Sequence, residues 1–276
     1  MTNENAAAKL GLIAGYGAFP LELAEILVAA GYELHVVAIR EETGREIEKL
    51  ATSTTWLHVG QLGGMLKAFT GAGVTEAIFA GKVRKLHLFR NFLPDMVAIR
   101  ELMRLPDRRD DTIMLSIVDL LARNGITVLS QVAHAGAMLA GDGHLYGPKP
   151  GKEQWADIAF GMPQAKGIAA LDIGQTVVVQ EQAVLAVEAI EGTDEAIKRG
   201  GGLGNGKATV LKVAKPKQDL RFDVPAIGPD TLTTMHAAGC RTLAIEAGLT
   251  LMIERHRLAA LAGELKISVV GVRVQS

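Results

Sequence analysis

Along this chain, short apolar runs alternate with amphipathic stretches, and glycine falls between them. Residues 10–14 are an apolar run closed by Gly15, the signature of a strand covered on both faces. From Pro20 to Ala30 the period changes. Leu23, Ile26, Leu27 and Ala30 share one helical face, Glu22 and Glu25 lie off it, and Gly31 follows as a helix-ending glycine. Residues 35–39 form a second buried-type strand. Strand, glycine turn, helix and strand in this order predict a βαβ unit on a parallel sheet.

The alternation continues with a helix over 60–69, a strand over 76–80 closed by Gly81, and a helix over 110–123. In the last, Ile113, Ile117, Val118 and Leu121 keep the helical period, and carboxylates occupy the first turn, where the helix dipole favours them. Residues 126–129 are another strand. Such repetition predicts an N-terminal Rossmann-like domain over 1–135. Between His134 and Gly151 the pattern breaks. Gly136, Gly141, Gly143, Gly147, Pro148, Pro150 and Gly151 crowd this stretch, so 136–151 is read as the connection between domains.

Residues 152–276 then read as a second α/β domain with a mixed sheet. It has helices over 153–170, from Thr193, over 229–238 and over 255–265. Strands fall at 176–180, 183–190, 208–214 and 267–272, with 243–245 and 249–253 as a strand pair. The glycine run 200–206 reads as a flexible loop.

Composition narrows the function. With 49% hydrophobic residues the 276-residue chain has ample material for two cores. A formal charge of −1 excludes nucleic-acid binding driven by bulk charge, and 4% aromatic residues speak against base stacking. Cys240 is the single cysteine, so no intramolecular disulfide forms, which suits a cytoplasmic protein. The opening residues lack the pattern of a secretory signal, and no run reaches 18 apolar residues.

Four segments carry candidate chemistry. Gly11, Ala14, Gly15, Tyr16 and Gly17 line a strand-to-helix turn whose backbone N–H groups suit a phosphate or diphosphate; the bland reading is simple punctuation. A dinucleotide fingerprint fits poorly, because Pro20 stands where its third glycine belongs and Arg40 where its acid belongs. Gly81, Lys82, Arg84 and Lys85 follow a strand end, where cations suit an anionic ligand or are merely solvated. Asp110 and Asp111 either stabilise a helix dipole or help hold a cation. Residues 215–228 combine Lys215, Lys217, Arg221, Asp219 and Asp223 with two prolines. Metal-assisted phosphoryl chemistry requires such a mixture, with carboxylates for Mg²⁺ and cations for the phosphates. Among the acids Glu181, Glu188, Glu191 and Asp194, one or two could complete a metal site with Asp223.

Taken together, these segments resemble the LpxI family of UDP-2,3-diacylglucosamine pyrophosphatases. The matching stretches are residues 10–20, 78–83, 110–115, 171–178, 184–194, 215–216 with 221–228, and 246–248. The resemblance implies a two-domain hydrolase of lipid A biosynthesis that splits UDP-2,3-diacylglucosamine into UMP and 2,3-diacylglucosamine 1-phosphate. It implies Mg²⁺ as cofactor, a UDP-sugar lipid bound between the domains, and Asp223 as the catalytic acid of the Arg-x-Asp-x-Pro segment. Arg221 and Lys215 would stabilise the phosphates. Gly11, Ala14, Gly15, Tyr16, Gly17, Gly81, Lys82, Gln175 and Lys217 would bind substrate. Asp223, Asp111 and Glu191 would ligate metal. It is compatible with a homodimer and with a transient peripheral contact at the inner membrane, although no long basic amphipathic helix is evident. Tyr16 departs from relatives that are richer in glycine there. Two rivals stand beside this reading, a non-catalytic UDP-sugar sensor and a dehydrogenase-like protein.

Overall fold

The computed structural model describes residues 7–84 and 92–274; Lys85 and His87 lie outside them. The chain divides into two compact units, one of Met1–His134 with Leu220–Phe222, the other of Ala135–Asp219 with Asp223–Ser276.

In the first unit, strands β1 (Lys9–Ala14), β2 (Glu33–Ile39), β3 (Ser53–Leu57), β4 (Glu76–Ala80) and β5 (Thr127–Val128) form a sheet in the order β3-β2-β1-β4-β5. Every pairing is parallel. Helices α1 (Phe19–Ala29), α2 (Leu62–Ala72), α3 (Met96–Arg104) and α4 (Asp110–Arg123) accompany it, followed by the single turn α5 (Gln131–His134). This is the Rossmann-like order that the strand–helix alternation predicts. One core cluster packs Ile13, Val37, Phe69, Ala77, Phe79, Val118, Leu121 and Ile126, with Phe222 against its edge. Gly11 belongs to this packing, because a Cβ there would come within 2.9 Å of the Phe69 ring. The missing side chain serves the core, where the sequence reading assigned it to a ligand.

In the second unit, β6 (Gly143–Tyr146), β7 (Thr176–Gln180), β8 (Ala183–Val187), β9 (Ala208–Lys212), β11 (Cys240–Glu246) and β13 (Ser268–Val272) form a mixed sheet ordered β6-β13-β11-β9-β7-β8. β9, β11 and β13 run parallel, and β6, β7 and β8 are antiparallel to their neighbours. Part of the stretch expected to be a connection is therefore an edge strand. β10 (Ala226–Ile227) pairs with β12 (Leu251–Met252) in a separate two-stranded ribbon, so the expected pairing of 243–245 with 249–253 does not form. Helices α6 (Lys152–Ala170), α7 (Thr193–Leu203), α8 (Pro229–Ala237) and α9 (Arg255–Glu264) complete the unit.

The glycine run departs most from expectation: Gly200, Gly201 and Gly202 lie inside α7. A Cβ at Gly200 would come within 2.5 Å of Val178 on β7, and one at Gly201 would collide with the Ala238 carbonyl. Close packing outweighs the helix-weakening tendency of glycine, worth about 1 kcal/mol per residue.

Cys240 is fully buried in a cluster with Val210, Leu243 and Met235. Burial pushes its thiol up to about 11, against a small opposing pull from Arg241. We therefore expect a thiol-reactive dye at pH 8 to label the folded protein only as fast as the protein opens, and at full speed in denaturant. Fast labelling of the folded protein would contradict the packing described.

Candidate functional site

In each unit several of the chemistry-bearing residues lie at the carboxyl ends of parallel strands, where open α/β sheets bind ligands. In the first unit the chain leaves β1 and β4, neighbours at the point where strand order reverses, through the two glycine turns. The Ala14 carbonyl accepts the Thr43 hydroxyl at 2.6 Å. The Gly15 N–H donates to the Ala80 carbonyl at 2.8 Å, and the Tyr16 N–H to the Lys82 carbonyl at 2.7 Å. Two of the turn amides that sequence reasoning offered to a phosphate, those of Gly15 and Tyr16, are thus spent joining the two turns. Gly15 is required because a Cβ would approach the Lys82 carbonyl to 2.7 Å. Gly81 is required twice over, by a φ of +82° and by the Tyr16 carbonyl 2.7 Å from its would-be Cβ. Gly17, with φ of +106° and open space around it, leads into α1, whose first turn has no side-chain cap.

The cations divide. Arg84 lies over the Tyr16 ring, 4.1 Å from its centroid, while its Nε donates to Glu42 at 2.9 Å and its Nη2 to the Glu41 carbonyl at 2.8 Å. Its charge answers the buried Glu42 carboxylate. Lys82 is exposed, its Nζ 6.0 Å from the same ring centroid. Arg221 sits between two anchored neighbours. The Leu220 carbonyl accepts the Gln131 N–H at 2.9 Å, and Phe222 packs against the core. Asp110 and Asp111 are exposed at the start of α4. Just before them, Arg109 holds the Asp107 carboxyl well below the usual range through side-chain hydrogen bonding.

In the second unit, β9 and β11 deliver Lys212, Ala214 and Glu246 to their carboxyl ends, and the loop 215–225 leaves from there. Within it the Lys215 ammonium donates to Asp172 at 2.6 Å, and Gln218 closes a turn by accepting the Lys215 N–H at 2.8 Å. The Gln218 side chain meets the Gln175 side chain at 3.5 Å, while the Gln175 backbone bonds Glu188 and Val213. Lys217 is exposed. Asp223 is half-buried, its N–H donating to the Asp219 carbonyl at 2.9 Å. Glu191 instead closes the turn before α7. It accepts the Ala189 N–H at 3.1 Å and Arg199 at 2.5 Å, and its own backbone N–H with Arg199 holds its carboxyl below the usual range.

Among the described residues no three His, Cys, Asp or Glu side chains group so as to hold a metal ion. The donor chemistry still fits Mg²⁺, which takes one or two carboxylates and completes its shell with water and phosphate oxygens. Asp223 in a loop of this charge offers that kind of ligand.

Sequence reasoning missed Glu42, Lys166, Lys212 and the structural part of Glu246. The available signal was a charged residue directly ending an apolar run, as Lys212 ends β9 and Glu246 ends β11. Such a group is buried by its own strand and must find a partner.

Two family models match, the LpxI N-terminal domain over residues 9–138 and the LpxI C-terminal domain over 141–270. The chain is 34% identical over 278 residues, 97% of its length and 98% of the relative's, to the UDP-2,3-diacylglucosamine pyrophosphatase LpxI of Caulobacter vibrioides. A likeness to the biotin carboxylase domain of Hydrogenobacter thermophilus 2-oxoglutarate carboxylase covers 65% of this chain and 36% of that one, at 15% identity and a TM-score of 0.26. Another, to glycinamide-RNase-transformylase T of Mycobacterium tuberculosis, covers 66% and 44% at 12% identity and a TM-score of 0.22. At these scores neither likeness bears on fold or function.

Proposed function

Because this chain belongs to the LpxI family, we propose that it hydrolyses the diphosphate of UDP-2,3-diacylglucosamine, giving UMP and 2,3-diacylglucosamine 1-phosphate in lipid A biosynthesis. The observation that carries this reading is the full-length match to a relative of that activity. The geometry supports it through the loop 215–225, which leaves the ligand-binding edge of the second sheet with Asp223 and Arg221 two residues apart.

Cleaving a phosphoanhydride with water requires an oriented nucleophile, a proton acceptor and compensation of charge on the phosphates. In this reading Asp223 orients the water or holds Mg²⁺, and the Arg221 guanidinium takes the phosphate oxygens as a fork. Lys215 adds a second cation after exchanging Asp172 for phosphate. Lys82 and Gln175 lie at strand ends suited to the rest of the substrate. When bound, Mg²⁺ would neutralise the diphosphate and lower the charge repulsion that an attacking oxygen meets.

The test is UMP release from UDP-2,3-diacylglucosamine with Mg²⁺ and with EDTA. Release in Mg²⁺ that EDTA abolishes is the expected outcome. Release unaffected by EDTA would remove the metal from the reading. Tight binding without release under any divalent metal would leave a UDP-sugar sensor.

The same reading calls for contact with a lipid surface, and α3 offers one. No helix among the described residues is long and apolar enough to cross a membrane. On α3, however, Met96, Ile99 and Met103 are 63%, 37% and 74% exposed, and Arg100 and Arg104 flank them, Arg104 also donating to Glu101 at 3.1 Å. Apolar groups beside arginines suit an anionic bilayer. Vesicles with about a third phosphatidylglycerol should float the protein, and Met96→Glu with Met103→Glu should cut the bound fraction several-fold. Equal flotation of the variant would discard this face.

A further inference from the structure

The loop that carries Lys215, Arg221 and Asp223 is fastened at both ends by lysines that no part of the reaction uses, Lys166 half-buried and Lys212 buried. At its start, Lys166 on α6 donates to the Ala214 carbonyl at 2.9 Å and to both oxygens of Glu246 at 3.1 Å. Glu246 in turn accepts the Ala214 N–H at 2.8 Å. The pair therefore holds Ala214 by both its N–H and its C=O. At the loop's far end, Lys212 on β9 donates to the Ala226 carbonyl at 3.1 Å and reaches the Thr193 hydroxyl at 3.4 Å. Thr193 donates to Glu188 at 2.9 Å.

Burial makes this arrangement costly unless it is satisfied. Glu246 is 4% exposed, and Glu188 and Lys212 are each 8% exposed. Ionisable groups so enclosed are stable only with partners of good geometry. Each ammonium donates to a loop-end carbonyl and also reaches a side-chain oxygen, the Glu246 carboxylate for Lys166 and the Thr193 hydroxyl for Lys212. Between these ends the loop has its own holds, the Gln218 turn, the Asp223-to-Asp219 bond, the Leu220 carbonyl on Gln131 and Phe222 against the first core.

We propose that Lys166 with Glu246, and Lys212 with Thr193 and Glu188, are positioning residues that fix the two ends of the loop and thereby aim Asp223. The proposal rests on the reading that Asp223 serves the reaction. Displacing a reacting group by about 1 Å costs on the order of 100-fold in rate while ground-state affinity changes little.

The experiment uses the full chain with Lys166→Met, Lys212→Met and the pair Lys166→Met/Glu246→Met. It measures kcat and KM for UMP release, the melting temperature, and amide exchange across residues 215–226. Each single variant should lower kcat about 10- to 100-fold with KM within roughly threefold, and speed exchange in the loop at least about tenfold while the sheet strands keep theirs. Lys166→Met leaves Glu246 buried without its ammonium, so it should also melt earlier. The pair removes both charges and should regain the melting temperature, since replacing a whole buried ion pair is often neutral. It should remain slow and loose in the loop. A pair that regains wild-type kcat together with its melting temperature would show the lysine to be structural only, and loop exchange at the wild-type rate in all three variants would overturn the proposal outright. Asp223→Ala keeps the failures apart: it should lose activity with wild-type loop exchange, and if it stays active the catalytic reading falls while the exchange data still decide the tether.

Discussion

Asp223→Ala should lower UMP release by about 10³-fold or more in saturating Mg²⁺, with the melting temperature within a degree or two of wild type. The separation of the two effects follows from where the side chain sits. Asp223 is half-buried in a loop, and its fixed contact is made by its backbone N–H. Removing the carboxylate therefore leaves no cavity in either core. Asp223→Asn should be nearly as slow, because an amide neither accepts a proton nor carries charge for a metal. Arg221→Lys should retain more, falling roughly 10- to 100-fold, since an ammonium keeps the charge and loses the fork. Near-normal turnover in Asp223→Ala would move the reaction to another acid, and the wild-type-like melting curve would show that folding was not at issue.

The largest stability effect is expected at Gly81. Gly81→Ala puts a Cβ on a residue at φ +82° and within 2.7 Å of the Tyr16 carbonyl and 2.8 Å of the Pro20 ring. Left-handed backbone costs an alanine about 1–2 kcal/mol, and the collision adds about as much, for roughly 3 kcal/mol in all. That corresponds to roughly 10 °C in melting temperature for a unit of this size. Gly71→Ala is the control. It lies inside α2 with nothing within 4 Å of a Cβ, so it should stabilise by up to about 1 kcal/mol. Equal melting of the two variants would mean that the Tyr16–Lys82 bridge between the turns contributes nothing.

Much of the architecture was legible because it rests on periodicity. α4 runs over Asp110–Arg123 as its apolar spacing predicts, and β7 over Thr176–Gln180 likewise. The glycines of α7 could not be read, because their reason lies in Val178 and Ala238, residues distant in sequence. The 249–253 strand was visible, but its partner at 226–227 is a two-residue bridge with no pattern of its own. The candidate site was half legible. The loop's mixture of charges and the two glycine turns stood out. What the residues touch did not: the Tyr16 and Gly15 amides are consumed by a neighbouring turn, and Arg84 is consumed by Glu42. A cation in a sequence advertises charge, whereas only the fold says whether that charge is already answered.

The assignment of Leu220–Phe222 to the first unit has a consequence for how the chain is made. Phe222 packs against the first core, and the Leu220 carbonyl accepts from Gln131 at the start of that unit's last helical turn. A ribosome emits residue 134 roughly ninety residues before these three, an interval on the order of 5–20 s at ordinary rates of synthesis. During that time the nascent N-terminal half waits with one edge of its core uncovered, and its final piece arrives only after most of the second sheet has been translated. Cutting the gene at residue 134 would make that interim state permanent, so a fragment meant to represent the first unit would be born without its last hydrophobic side chain.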